Sequence, residues 1–236
     1  MKAQFNFGRL WGQNFFSNLN YYRLIEYVND EDAMKIFTNK HGLRADDKGN
    51  LIDTPLDDEH RPVIHEGIKA DILYSLELLS NQMIVYISTL IENSFEEFFY
   101  CVFANDPQKI KYINTLGDGL KSQLGFSLND FIEYPLREDY LNELSRRAAK
   151  ICISGNPKAI LKRVSELTKL EIGKDISTLL FELNNFRNKI VHENKHYTFA
   201  NDELQKYEHM FEALLHLLAY KLIDLQIDVI DPGEFL

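Results

Sequence analysis

Three side chains in the last quarter of the chain, Arg187, Asn188 and His192, are of the types that acid–base chemistry at an anionic centre needs. Arginine carries a fixed charge and a planar donor fork that grips two oxygens at once. An imidazole gains and loses a proton near neutrality, which suits a base or proton shuttle. An asparagine amide can orient either partner or hold an oxyanion by hydrogen bonds. All three stand in Arg187-Asn188-Lys189-Ile190-Val191-His192. Other chemistries find no such set. There is no Gly-rich phosphate loop and no serine elbow. His209 and His216 sit seven apart, and His60 and His65 flank Pro62 without a convincing third ligand. No metal site and no cofactor is expected.

A helix from about Asp175 to Glu193 must position the three residues. On its wheel Ile176, Leu179, Leu180, Leu183, Phe186, Ile190 and Val191 share one face. Arg187 falls inside that apolar arc. A permanent charge there needs an acceptor, either a carboxylate such as Glu92 or Glu96, or a polar cleft. Five residues along an ideal helix turn through ~500°, so Arg187 and His192 point about 140° apart. Two remedies are open: the helix loosens before His192, since Glu193-Asn194-Lys195 looks like a helix end, or a second protomer supplies the missing group.

The rest of the chain reads as helices. Its 236 residues are 45% hydrophobic and 12% aromatic, with only 11 Gly and 6 Pro. Few breakers and long apolar-periodic stretches favour an all-α fold with a substantial core. Residues 1–43 form a helical lead-in, and residues 44–64, with Lys48-Gly49-Asn50, a small hairpin or mobile loop. A long helix runs from about Ile68 to Asn105, where Pro107 ends it. Residues 107–135 hold short helical pieces at most, and 136–153 are helical again. Gly155-Asn156-Pro157 closes one helix and opens the next, which runs to about Leu170. A final helix follows Thr198, with an acidic tail after Asp228 read as loose. The organisation expected is an N-terminal extension (1–67), a helical domain (68–226) and a tail (227–236).

Arg, then a small polar residue, three variable residues and His, near the end of a helix in an all-helical domain, resembles the HEPN superfamily. The stretch Glu193-Asn194-Lys195-His196-Tyr197 before a last amphipathic helix is similar too, as is Ile91-Glu92-Asn93-Ser94-Phe95. The resemblance covers about residues 68–226. It implies a HEPN-like helical bundle and a metal-independent endoribonuclease that cuts RNA through the RNA's own 2′-hydroxyl. His192 would move the proton, Arg187 would stabilise the phosphorane and Asn188 would orient. It also implies a homodimer with a composite active site, a toxin–antitoxin or antiviral-defence role, and an antitoxin or regulatory protein as a further partner. The alternative is a non-catalytic HEPN-like module that binds RNA or protein, and a third reading is a plain helical scaffold.

Charge bears on the RNA. The net charge of -10 argues against a general nucleic-acid coat. Yet residues 146–174 carry eight basic side chains against Glu166 and Glu171. Arg146, Arg147, Lys150, Lys162 and Arg163 are the candidates to line an RNA path, with ordinary solvated helix faces as the plainer reading. His196 and Tyr197 are candidate RNA contacts or a packed loop pair. Cys101 and Cys152 read as core fillers. No 7–15-residue apolar export core precedes Asn20, and Met83–Ile91 falls short of a membrane span. A cytoplasmic, membrane-free setting is expected.

Overall fold

The computed structural model describes residues 3–38, 42–54, 61–125, 132, 134 and 136–231. The fold is all-α, with one two-stranded hairpin. Its axis is α3 (Arg61–Asn105), 45 residues long and buried along much of its length. Around it lie α1 (Phe7–Asn29), α2 (Glu31–Thr38), α5 (Arg137–Ile153), α7 (Lys174–Glu193) and α8 (Asn201–Asp224). The short α4 (Asp118–Lys121) follows a 3-10 segment at Pro107–Thr115, and α6 (Pro157–Thr168) joins α5 to α7. Small polar residues inside α3 would be costly if unpaired. Ser88 and Ser94 instead donate to the carbonyls four residues back, at 2.9 and 2.7 Å.

Local signals account for the element ends. Asn156 caps α6 by accepting from the Ala159 N–H at 2.9 Å, Pro157 takes the first turn, and Gly155 holds φ +97, where a side chain would strain. The hairpin pairs β1 (Gly42–Ala45) antiparallel with β2 (Leu51–Thr54). Its turn is organised by the Asp46 carboxylate, which accepts from the Lys48 and Asn50 N–H groups, both at 2.8 Å.

Two expectations are corrected. Residues 1–67 are not an appendage to a domain beginning at 68, because α3 starts at Arg61 and continues unbroken through that boundary. Proline is tolerated in a first helical turn, where its missing N–H has no partner to lose, so Pro62 does not delay the helix. Phe5, Phe7 and Leu10 are fully buried in the same core as Phe98, Phe99 and Leu214. His65 is likewise on α3, buried, with Nδ1 3.0 Å from the Thr38 hydroxyl; His60 lies outside the described residues. Nor is the chain loose directly after Asp228. Phe5 N–H donates to the Asp228 carbonyl at 3.0 Å and Ile230 N–H to the Phe5 carbonyl at 2.8 Å, so the two ends clasp each other. Residues 232–236 lie outside the described residues.

Cys101 and Cys152 fill the core, where burial pushes both thiols up to about 12. No helix among the described residues is long and apolar enough to cross a membrane.

The seam between α1 and α8 is polar. Tyr22 donates to Glu208 at 2.8 Å and Trp11 to Glu212 at 3.1 Å. Burial raises the Glu208 carboxyl above its ordinary range, and the Tyr22 hydrogen bond and nearby His209 only partly oppose this. The folded protein therefore keeps that proton to a higher pH than the unfolded chain, and stability falls as pH rises through the window between the two values. Glu208→Gln should raise Tm by about 1–3 °C at pH 7, the scale of a sub-kcal/mol gain in a chain this size. The gain should shrink to nothing below about pH 4, where a free glutamate is itself protonated. Thermal melts at both pH values check this; an equal shift at both would contradict it.

Candidate functional site

The candidate site is the C-terminal end of α7. This helix lies at the edge of the bundle, with only Leu180 and Leu183 fully buried among its described side chains. Leu180 and Leu183 face the core, Ile176, Leu179, Phe186 and Ile190 are half-buried against it, and Phe181 and Val191 are 41% and 46% exposed. Arg187 lies where the apolar face meets solvent, half-buried, while Asn188 and His192 are exposed.

Arg187 and His192 meet within one chain. Arg187 Nη1 is 3.2 Å from His192 Nε2 and 3.2 Å from Asn188 Oδ1. The ~140° divergence of an ideal helix is overcome by the reach of the arginine side chain, since both residues lie on α7, which is helical through Glu193. Asn194 adopts the left-handed conformation, φ 49, which asparagine tolerates better than most residues. Its N–H and that of Lys195 both donate to the Lys189 carbonyl, five and six residues back instead of four. Neither remedy open from sequence accounts for the contact: the helix loosens only after His192, at Asn194, and the two side chains meet within one chain.

The contact also sets the imidazole's hydrogen bonding. A guanidinium can only donate. In this contact, then, Nε2 is the acceptor. Neither Glu92 nor Glu96 pairs with Arg187, and among the described residues no carboxylate does. Glu92 lines a small pocket between α3, α6 and α7, while Glu96 lines another with Arg9 and Arg146. The side chain thus opens to solvent at the polar edge of its face.

The segment after α7 is held by a residue that sequence reading passed over. Asn81, on α3 and 1% exposed, accepts from the Tyr197 N–H at 2.9 Å and donates to the Tyr197 carbonyl at 2.7 Å. Its amide also donates to the Glu77 carbonyl at 2.9 Å, and Glu77 accepts from the Thr198 hydroxyl. The Tyr197 ring packs edge-on against Phe186 at 5.0 Å, and Phe199 does the same at 5.2 Å. Tyr197 therefore has a packing role, while His196 beside it is exposed. The only sequence signal for Asn81 was a polar residue on the buried face of a long apolar helix.

The basic block divides. Arg163 is 7% exposed and donates to the carbonyls of Cys152, at 2.9 Å, and Ser154. It ties down the end of α5 and is out of reach of an RNA strand, so its place among RNA contacts is corrected. Arg147 pairs with Glu143 at 3.0 Å and donates to the Gly125 carbonyl at 3.4 Å. Lys162 is exposed and pairs with Glu166 at 3.6 Å. Arg146 lies 5.6 Å from the centre of the Tyr100 ring. Lys150 is exposed on α5.

Removing the Asn81 amide leaves both main-chain groups of Tyr197 unpaired. Asn81→Ala should cost about 1–3 kcal/mol in denaturant unfolding. It should also speed hydrogen exchange at the Tyr197 amide more than at core amides of α8. Unchanged stability and unchanged Tyr197 exchange would show that the clamp holds nothing.

Compared with known proteins, the chain matches no family model, no curated protein and no solved structure.

Proposed function

We propose that this protein is a metal-independent endoribonuclease of the HEPN type, acting through Arg187, His192 and Asn188. The observation that carries the reading is the exposed 3.2 Å contact between Arg187 Nη1 and His192 Nε2. It sets an acceptor nitrogen beside a permanent cation at a solvent-open helix end. A phosphodiester arriving there offers oxygens that compete for the arginine fork. As Arg187 turns to the phosphate, Nε2 is released to accept the proton of the 2′-hydroxyl. The 2′-oxygen attacks phosphorus, the bond to the 5′-oxygen breaks, and that oxygen takes a proton from water while His192 returns its own to solvent. The products are a 2′,3′-cyclic phosphate and a 5′-hydroxyl end. Arg187 neutralises charge on the phosphorane, where a preorganised donor is worth most, and Asn188 holds the guanidinium through its Oδ1.

A homodimer with a composite site belongs to the same proposal. The exposed Phe181 and Val191 on α7 give a second copy apolar surface beside the motif. A toxin or antiviral-defence role, held in check by an antitoxin or regulatory protein in the cytoplasm, follows from the HEPN resemblance. Arg146, Lys150 and Lys162 are the remaining exposed basic candidates for the RNA path, with His196 at the motif end.

The test is cleavage of single-stranded RNA in EDTA. Wild type should leave 2′,3′-cyclic phosphate ends, and a substrate with 2′-deoxy at the cut position should resist. Arg187→Ala and His192→Ala should each slow cleavage by about 100-fold or more. Equal cleavage by wild type and both variants would assign the activity to a contaminant. RNA binding without any cleavage would make the chain a non-catalytic module.

A further inference from the structure

One turn before Arg187, Asn184 lines a pocket between α3, α6 and α7. The pocket encloses ≈ 60 Å³. That is room for a few waters, and so for the rim of one planar ring system, but not for a whole nucleotide. Its walls are apolar: Ile91 and Phe95 come from α3, Ile160 from α6 and Leu183 from α7. Glu92 of α3 joins Asn184 as the second long polar side chain of the lining.

Neither the half-buried Asn184 amide nor the exposed Glu92 carboxylate has a hydrogen-bond partner or an ion pair among the described residues. Apolar walls with a few polar groups to fix orientation are the usual make-up of a small-ligand site. Position then narrows the ligand. On the α7 wheel Asn184 falls between Arg187 and Asn188, which lie one turn further on. Neighbours at that spacing have Cβ atoms about 5–6 Å apart. A strand whose phosphate is held by Arg187 therefore has a flanking base within reach of this pocket.

We propose that this pocket reads a guanine next to the scissile phosphate. The inference rests on the RNA reading of Arg187 and His192, which supplies the strand. A carboxylate only accepts, through two oxygens. Guanine alone among the four bases sets two donors side by side on its pairing edge, N1–H and the 2-amino group, to meet the Glu92 carboxylate. Its O6 accepts from the Asn184 amide, and the ring lies against Ile91, Phe95 and Leu183. Adenine and cytosine put a bare ring nitrogen beside the amino group, and uracil holds one N–H between two carbonyls. Each of these turns an acceptor toward Glu92. Unpaired RNA bases are read on such edges, between apolar side chains.

Two assays on the full-length protein separate the pocket from the chemistry. Short fluorescein-labelled 2′-O-methyl uridine strands with one central guanosine, inosine, adenosine or cytidine resist 2′-hydroxyl attack, and anisotropy reads their Kd. The guanosine strand should bind at least about tenfold tighter than the adenosine, cytidine and all-uridine strands, the scale of one bidentate base contact. Inosine, which lacks only the 2-amino group, should lose about fivefold or more. Glu92→Gln, at unchanged helix content, should bring guanosine to within about threefold of adenosine. In all-ribose strands, cuts should fall at the phosphodiesters flanking guanosine, at least about tenfold faster than in the adenosine strand. A guanosine preference in binding without cleavage of any strand would keep the pocket and remove the nuclease reading. Cleavage indifferent to the base, inosine equal to guanosine, or a preference that survives Glu92→Gln overturns the pocket and leaves the nuclease reading standing. Strands that are neither bound nor cut overturn both.

Discussion

The buried amide of Asn81 ties the spine of this fold to the end of the helix that carries the candidate site. α3 is the element against which α1, α5, α7 and α8 all pack. From its buried face Asn81 takes both main-chain groups of Tyr197, as a neighbouring strand would. Tyr197 and Phe199 then close over Phe186, the residue before Arg187. The last turn of α7 is thus anchored on both sides, by Leu183 in the core and by the returning chain. A five-residue spacing that diverges on an ideal helix becomes a contact through the reach of the arginine side chain along this anchored end.

Much of this was legible in the residues. The long central helix, the Gly155-Asn156-Pro157 break, the hairpin turn and the end of α7 all carry local signals, and local signals survive folding. What was not legible depends on partners distant in sequence. Nothing near Phe5 or Leu10 shows that they join a core built by residues around 90 and 214. Asn81 looks like a polar lapse in an apolar stripe until Tyr197, 116 positions away, is placed beside it. The divergence of Arg187 and His192 was computed from an ideal helix. It leaves out the reach of a guanidinium along the helix.

Charge illustrates the same limit. A run of basic residues looks uniform on the page, yet each member answers to its own surroundings. Arg163 is drawn inward to carbonyls ending α5, Arg147 and Lys162 meet acids on their own helices, and Lys150 remains in solvent. The acidic side is as heterogeneous. Glu208 sits where burial disfavours its charge, a cost that a fold selected for stability alone would shed.

The central claim is that Arg187 and His192 act as one unit on RNA, and a double-mutant cycle on single-turnover cleavage tests it most directly. Groups that act together lose their effect together. The account requires that a protein lacking both side chains cleave no more slowly, within about threefold, than either single variant. Losses that multiply, or a pair whose removal leaves the rate untouched, would show that the contact at the end of α7 is not the engine of the reaction.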